Sequence, residues 1–357
     1  MITLLVSACL APYPYIQTRK IDMTATETLT LAEIEDLAFS ALVKAGTSEA
    51  NARPLAVATA MTEADGVASH GLAYIPIYAQ HVECGKVDGQ ATPVVEQPRP
   101  AVVTVDAATG FAHSAIDQGF EKLIPLAREM GVAVLAVNNS YNCGVLGVHT
   151  QRLAQAGLLG IGFTNAPASI APSGGAKPVV GTNPFSIAAP DADGNAALLI
   201  DQSASTIAKS EVMKHAREGK PVPEGWVLDA DGQPTTDPDA GLKGSMVPSG
   251  GYKGVGIALT VELMAAAMTG ATLGSVASPF SGTAGGPPKT GQFFIAVDPK
   301  ATAGGAFQER LADLIASIHD QDGARLPGDG RRACRTHAAS EGVAVNAALL
   351  EKVRALL

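Results

Sequence analysis

One short segment of this 357-residue chain places a hydroxyl group and an imidazole next to a glycine, Ser69-His70-Gly71. A histidine beside a glycine is expected in a turn, not on the apolar face of a helix. Imidazole is the side chain best suited to proton transfer near neutral pH. His70 is therefore a candidate acid or base, although these residues alone leave a surface or packing histidine as the commoner case.

Two polar segments have the composition of a ligand site. Residues 138–144 directly follow the apolar run 132–137, and polar groups at the end of a buried strand commonly line ligand crevices. In Gly181-Thr182-Asn183-Pro184, the glycine lets backbone N–H groups approach a ligand, and two polar side chains follow it. Each segment could equally be a structural loop.

Asp201 lies where a predicted strand, 197–200, meets a predicted helix, 203–218. An aspartate at such a junction favours helix capping. It could instead orient a histidine.

Several common motifs are absent from the sequence. Gly160-Ile161-Gly162 lacks the third glycine of the dinucleotide fingerprint, because Asn165 stands in its place. The sequence contains neither a Walker A motif nor a G-x-S-x-G elbow. Its histidines never recur three or four residues apart, so no helical metal pair and no metal site are predicted.

Composition excludes other classes of protein. The net charge is −9, from 25 Lys+Arg and 34 Asp+Glu, and basic residues form no block, which disfavours nucleic-acid binding. Residues 255–276 are weakly polar but contain Glu262 and several glycines, which favours a buried helix over a membrane span. The four cysteines form no C-x-x-C pair, so free thiols in the cytoplasm are expected.

The order of elements indicates an α/β core. Predicted strands over 102–105, 132–137 and 159–163 alternate with predicted helices over 114–130 and 146–156. The proline- and glycine-rich segment 164–190 is not expected to form a long helix or a regular strand pair.

Seven stretches resemble, in the same order, the malate/L-lactate dehydrogenase type-2 family of NAD(P)-dependent oxidoreductases. They are Ser69-His70-Gly71, residues 139–144, 181–184, 223–226, 234–238, 250–254 and 325–328. The resemblance implies a non-Rossmann α/β fold with a mixed, largely antiparallel sheet, in a protein that is usually a homodimer. We expect an N-terminal extension over 1–22, a helical domain over 23–95 plus 300–357, and a central coenzyme-binding domain over 96–299.

The resemblance also implies roles for particular residues. His70 is similar to the family's proton donor, with Ser69 and Asp201 as its partners. The coenzyme, NAD or NADP, is expected at Ser140, Tyr141, Asn142, Cys143, Gly144, Thr182, Asn183, Pro184, Lys253, Arg325, Pro327, Gly328 and Arg331. The substrate is expected at Tyr74, Asn142 and Gln202.

The chain departs from the family pattern at the substrate end. Many members have arginine where this chain has Tyr74, histidine where it has Asn142, and phenylalanine where it has Cys143. Many read Asp-Met-Ala where this chain reads Asp201-Gln202-Ser203. This combination resembles the members assigned to sulfolactate.

The expected function is hydride transfer between the coenzyme and a small anionic 2-oxo acid or 2-hydroxy acid of malate, lactate or sulfolactate type. A cyclic ketimine reductase acting on pyrroline- or piperideine-2-carboxylate is the first alternative. A non-catalytic ligand-binding relative is the second. Neither a nucleic acid nor a membrane is expected as a partner.

Overall fold

The structure is a computed structural model that describes residues 25–357. The expected extension over 1–22, with Cys9, lies outside the described residues. Helices and strands follow in the order β1 (Thr26–Leu29), α1 (Leu31–Lys44), α2 (Glu49–Ala64), α3 (Ile75–Glu83), β2 (Val94–Arg99), β3 (Val102–Asp106), α4 (Ala112–Met130), β4 (Val132–Ser140), α5 (Leu146–Gln155), β5 (Leu159–Thr164), β6 (Phe185–Pro190), β7 (Ala196–Gln202), α6 (Lys209–Glu218), β8 (Val227–Leu228), β9 (Pro234–Thr235), α7 (Pro238–Lys243), β10 (Ser245–Met246), α8 (Tyr252–Glu262), β11 (Thr290–Val297), α9 (Pro299–Ala303), α10 (Ala306–His319), α11 (Asp329–Glu341), β12 (Val343–Asn346) and α12 (Ala347–Arg354).

A seven-stranded sheet lies at the centre of the fold, in the spatial order β2-β3-β4-β11-β5-β6-β7. The neighbours β3 and β4 run parallel, and the other five neighbouring pairs of this sheet are antiparallel. The prediction of an α/β fold with a mixed, largely antiparallel sheet is therefore confirmed.

Helix α4 packs against the central sheet. Its buried residues recur at helical spacing, and Ile116 and Leu123 lie in the same core as Leu135 of β4. Gly131 ends the helix in the left-handed conformation, with φ 80°. The helix predicted over 114–130 is thus confirmed, with its start two residues earlier, at Ala112.

The two ends of the described chain meet in a separate two-stranded sheet. β1 pairs antiparallel with β12, and Ile34 of α1 shares a buried core with Val353 of α12. These contacts support our proposal that residues 23–95 and 300–357 form one domain beside a central domain over 96–299.

The expectation that 164–190 contains no regular strand pairing is wrong for its last six residues. β6 pairs with β5 on one side and with β7 on the other. Pro190 is tolerated because it is the final residue of the strand, where the register with β7 is already irregular.

The helix predicted over 203–218 begins only at Lys209. Residues before it hydrogen-bond to other segments, because Ala204 N–H donates to Thr182 O and Thr206 N–H donates to Val247 O, both at 2.8 Å. The buried helix favoured within 255–276 is also less regular than expected, since α8 ends at Glu262 and continues as a π-helix over Leu263–Ala267.

Candidate active site

The His70 segment forms two short 3-10 turns, Ala68–His70 and Leu72–Tyr74, between α2 and α3. Leu72 N–H donates to the carboxylate of Glu63 at 2.7 Å, and burial raises the pKa of Glu63. A Cβ atom added at Gly71 would lie 2.1 Å from Glu63 Oε1. The glycine of the Ser-His-Gly motif is therefore required for close packing beside the histidine.

His70 is oriented by groups at one nitrogen and on one face of its ring. Ser69 Oγ lies 2.9 Å from Nδ1, and the ring of Tyr74 stacks on the imidazole at 5.2 Å between centroids and 13° between planes. Burial lowers the pKa of His70, the charge of Asp201 raises it, and the charge of Arg331 lowers it. Among residues 25–357, Nε2 has no protein partner, so this nitrogen can exchange a proton with a ligand.

Four alternating charges connect the end of α2 with α11 and β7. Arg335 binds Asp65 with two nitrogens, through Nε and, at 2.8 Å, through Nη2. Arg331 Nη1 lies 3.8 Å from Asp65 Oδ2, and Arg331 Nη2 donates to Asp201 Oδ2 at 2.8 Å. Since Asp65 follows the last residue of α2 and leads into the His70 segment, this network fixes that segment relative to β7.

Asp201 and Arg331 differ in part from the sequence interpretation. Asp201 lies within β7, and α6 starts behind Ala208, so Asp201 does not cap a helix. Arg331, expected at the coenzyme, directs Nη2 to Asp201. Its buried Nη1 faces Asp65 Oδ2 at 3.8 Å and makes no hydrogen bond within the described residues, so the guanidinium is turned toward the two aspartates.

The end of β4 and the turn after it direct several expected coenzyme residues into the core. Ser140 Oγ is buried and donates to Thr290 O at 2.9 Å. Tyr141 is fully buried, and its hydroxyl lies 2.5 Å from His81 Nδ1. Burial raises the pKa of the Cys143 thiol to about 12. These three side chains therefore support the turn from inside the protein.

Asn142 belongs to the aromatic side of the His70 region. Its Oδ1 accepts hydrogen bonds from Tyr78 Oη at 3.1 Å and from Gly144 N–H at 2.9 Å. The ring of Tyr78 lies 5.4 Å from that of Tyr74, which stacks on His70. A continuous set of contacts thus joins Asn142 to the candidate proton donor.

A buried pair of histidines, which the sequence interpretation missed, lies under the same turn. The rings of His113 and His149 are 5.3 Å apart, and His149 Nε2 lies 2.9 Å from Cys143 O. Burial lowers the pKa of both histidines, that of His149 to about 4. Both side chains are therefore neutral near pH 7 and can stabilise the turn without a counter-charge.

The loop Gly181-Thr182-Asn183-Pro184 is held by its own polar groups. Asn183 is buried, with φ 37°, and its Nδ2 donates to Glu262 Oε2 at 2.8 Å. Thr182 O accepts from Ala204 N–H, and Pro184 O accepts from Thr164 N–H at 3.3 Å. The side chain of Thr182 is half-buried and makes no hydrogen bond within the described chain, so it is the group of this loop open to a ligand.

The remaining expected site residues lie at the surface or at the edge of the central sheet. Lys253, in the first turn of α8, is exposed, and so are Arg325 and Gln202. Leu199 N–H of β7 donates to Pro327 O at 3.4 Å. Gly328 takes φ 98° and packs on Leu199, where a Cβ atom would lie 3.1 Å from the Leu199 Cβ. The segment 325–331 is thereby fixed along the edge strand.

These residues fit a phosphate-bearing coenzyme. Arg325 is exposed and forms no ion pair among residues 25–357, and Lys253 is likewise exposed, whereas Arg331 is paired with Asp201 and faces Asp65. Arginine guanidinium groups match phosphate geometry. Arg325 would hold a phosphate, with Lys253 as a further exposed cation.

Within the described range, no cluster of three or more His, Cys, Asp or Glu side chains could hold a metal ion. A search of the same residues finds no helix with the length and apolar character needed to cross a membrane.

Comparisons with known proteins agree with the fold and with the motifs. A family model described as malate/L-lactate dehydrogenase matches residues 29–354. The chain is 42% identical over 327 residues to (2R)-3-sulfolactate dehydrogenase (NADP(+)) of Chromohalobacter salexigens, covering 92% of this chain and 97% of that one. It is 39% identical over 342 residues to a Δ1-pyrroline-2-carboxylate/Δ1-piperideine-2-carboxylate reductase of Pseudomonas putida, covering 94% of this chain and 100% of the reductase.

A solved structure is similar over nearly the same length. The Δ1-piperideine-2-carboxylate reductase of Pseudomonas syringae pvar. tomato superposes with a TM-score of 0.88 at 37% identity, covering 93% of this chain and 100% of that one. The fold and the family match together define an oxidoreductase that uses a nicotinamide coenzyme, NAD or NADP. The chain belongs to the malate/L-lactate dehydrogenase family.

Proposed function

We propose that this enzyme interconverts a small 2-oxo acid and its 2-hydroxy acid, with His70 exchanging the proton. The observation that carries the proposal is the arrangement of His70, whose Nδ1 is held by Ser69 and whose Nε2 is unoccupied by protein groups in the described chain. The similarity to a sulfolactate dehydrogenase supports a substrate of sulfolactate type.

The reaction needs a proton at the oxygen that becomes an alkoxide. The coenzyme supplies the hydride when it is bound. His70 Nε2 donates the proton in the reduction and accepts it in the oxidation, while Ser69 holds the opposite nitrogen. Burial lowers the pKa of His70, so we expect kcat/KM for reduction to fall as pH rises through a pKa below the usual value of 6.5.

The second candidate is reduction of a cyclic ketimine. The lowered pKa of His70 favours it, because a protonated imine brings its own proton and requires less acid catalysis. The sequence similarity to pyrroline- and piperideine-2-carboxylate reductases supports the same alternative.

One substrate panel separates these candidates. We expect the purified enzyme to consume reduced coenzyme with 3-sulfopyruvate faster than with pyrroline- or piperideine-2-carboxylate at equal concentration, with NADPH and NADH assayed in parallel. Faster turnover of a ketimine would make the enzyme a ketimine reductase. Turnover of neither class would overturn the proposal.

We also propose that the enzyme is a homodimer in the cytoplasm. Four apolar side chains on α8, on its π-helical continuation and directly after it are each more than half exposed: Tyr252, Leu259, Leu263 and Met268. An apolar surface of this kind is typical of a protein interface. We expect sedimentation equilibrium to give twice the mass of one chain for the wild type. For Leu263→Glu we expect the mass of a single chain. The unpaired thiols of Cys84, Cys143 and Cys334 support a reducing compartment.

A further inference from the structure

The side chain of Asn142 has a fixed orientation in this structure. Gly144 N–H can only donate a hydrogen bond, so the atom of Asn142 that faces it must be the carbonyl oxygen. The Tyr78 hydroxyl donates to the same oxygen. Two donors therefore bind Oδ1, and the amide nitrogen Nδ2 must point the other way.

Nδ2 is a donor without a partner. Within residues 25–357 it makes no hydrogen bond to the protein, and it is not among the enclosed polar atoms. Asn142 is half-buried, so this amide opens toward solvent at the turn that follows β4. Two N–H groups are thus available on the side of the amide away from Tyr78 and Gly144.

The cations nearest His70 are already engaged. Arg331 Nη2 is bound to Asp201, and Arg335 is bound to the buried carboxylate of Asp65. The position four residues after His70 holds the neutral side chain of Tyr74, whose ring stacks on the imidazole. Burial raises the pKa of Tyr74, so its hydroxyl stays protonated. An anionic group beside His70 is therefore met mainly by neutral donors.

We propose that Asn142 Nδ2 binds the carboxylate of the 2-oxo acid, and that Tyr78 is the positioning residue that fixes this amide for binding. This inference rests on the proposed function. Tyr78 suits the role because it is 2% exposed and its ring packs edge-on against Phe111 and Tyr141, which leaves its hydroxyl little freedom. The binding energy of the acid then depends on a hydroxyl group that does not touch the acid.

Tyr78→Phe tests the positioning role. It keeps the aromatic packing and removes the hydroxyl, so the amide can rotate. We expect KM for the 2-oxo acid to rise roughly 10-fold, about the effect of one misdirected hydrogen bond. We expect kcat to change less than about twofold and the dissociation constant of the reduced coenzyme to stay constant. A purely structural role would lower the active fraction, and with it kcat, at constant KM.

Thr59→Val is the matched control. Thr59 is also buried, and its hydroxyl donates to Leu55 O at 2.8 Å within α2, away from Asn142. This variant loses one buried hydrogen bond and should keep the wild-type KM.

Asn142→Asp tests the amide itself and remains informative if Tyr78→Phe does not fold. Its carboxylate can still accept from Tyr78 and Gly144 but offers no N–H and repels an anion, so we expect KM to rise more than about 100-fold. An unchanged KM in either folded variant would overturn the inference, as would a coenzyme dissociation constant that rises in parallel with KM.

The wild-type panel is measured first. If it shows no turnover of 2-oxo acids or ketimines, the proposed function fails and this inference falls with it. If wild type is active and the variants keep its KM, only the inference fails.

Discussion

The His70 half of the site and the coenzyme half differ in how far their side chains are already fixed. Around His70, Ser69, Glu63 and the Asp65–Arg335 pair are buried or bonded before any ligand arrives. In the coenzyme half, Arg325 and Lys253 are exposed cations without ion-pair partners in the described chain. Under the proposed function, proton transfer would rely on preorganised groups, whereas phosphate binding would order groups that are free beforehand.

The largest effect should come from the preorganised half. We expect His70→Ala to lower kcat by about 10²–10⁴, because general acid–base catalysis is worth that much, while the coenzyme still binds. Steady-state kinetics and coenzyme fluorescence titration measure the two quantities. Ser69→Ala, which keeps the imidazole, should lower kcat less. A His70→Ala enzyme with nearly normal kcat would show that the fixed half is not the catalytic half.

The ion pair behind His70 should be the next most sensitive point. Arg335→Met leaves the buried carboxylate of Asp65 without its bidentate partner, so we expect the free energy of unfolding to fall by about 3–5 kcal/mol. Urea denaturation measures it. Arg335→Lys keeps the charge and should lose less. Equal losses in both variants would point to lost packing as the cause.

Acid should destabilise the fixed half through its buried histidines. Burial lowers the pKa of His149 to about 4, below the usual 6.5. Between these pH values the unfolded chain therefore binds more protons than the folded protein. The contribution of His149 to the free energy of unfolding is therefore fully present above about pH 6.5 and is lost as the pH falls toward 4. We expect about 2 kcal/mol of this loss between pH 7 and pH 5. His149→Gln, measured at both pH values, should flatten the dependence, and an unchanged slope would contradict the assignment.

Substitution in the coenzyme half should have the smallest effect. We expect it to change coenzyme binding and to leave the stability of the protein nearly unchanged. We expect Arg325→Ala to raise the coenzyme dissociation constant roughly 10-fold through loss of a charge-assisted contact. Stability should change by less than about 0.5 kcal/mol, because the side chain is exposed. Arg99→Ala, an exposed arginine on β2, is the control for net charge. Equal coenzyme binding in wild type and Arg325→Ala would remove Arg325 from the site.

Local signals in the sequence predicted much of the fold. Thr30 and Glu33 have the spacing of a capping box and form one, with Thr30 N–H donating to Glu33 Oε2 at 2.8 Å. The apolar run over 132–137 lies in β4 as expected. The start of α6 was predicted six residues too early, at 203 instead of Lys209. Ala204 and Thr206 hydrogen-bond to distant segments, and a local sequence pattern cannot predict such partners.

The site was predictable only in part for the same reason. The motif around His70 is contiguous, so its residues could be singled out from the sequence. The groups that hold it are not contiguous with it: Arg335 comes from α11, and Tyr78 meets Asn142 across a separation of 64 residues. The sequence indicates which groups could react, and tertiary contacts decide which ones orient them.

The Asp65–Arg335 pair also bears on how the enzyme is made. The two residues are 270 positions apart, so Asp65 is synthesised long before its partner exists. β1, at the start of the described chain, likewise waits for β12 near its end. Burial of an unpaired carboxylate costs much free energy, and contacts between residues so far apart in sequence form slowly. The N-terminal helices therefore cannot complete their native packing until α11 and β12 have been synthesised. Folding of the His70 region must await α11, so a truncation that removes this helix should be more damaging than its distance in sequence from His70 suggests.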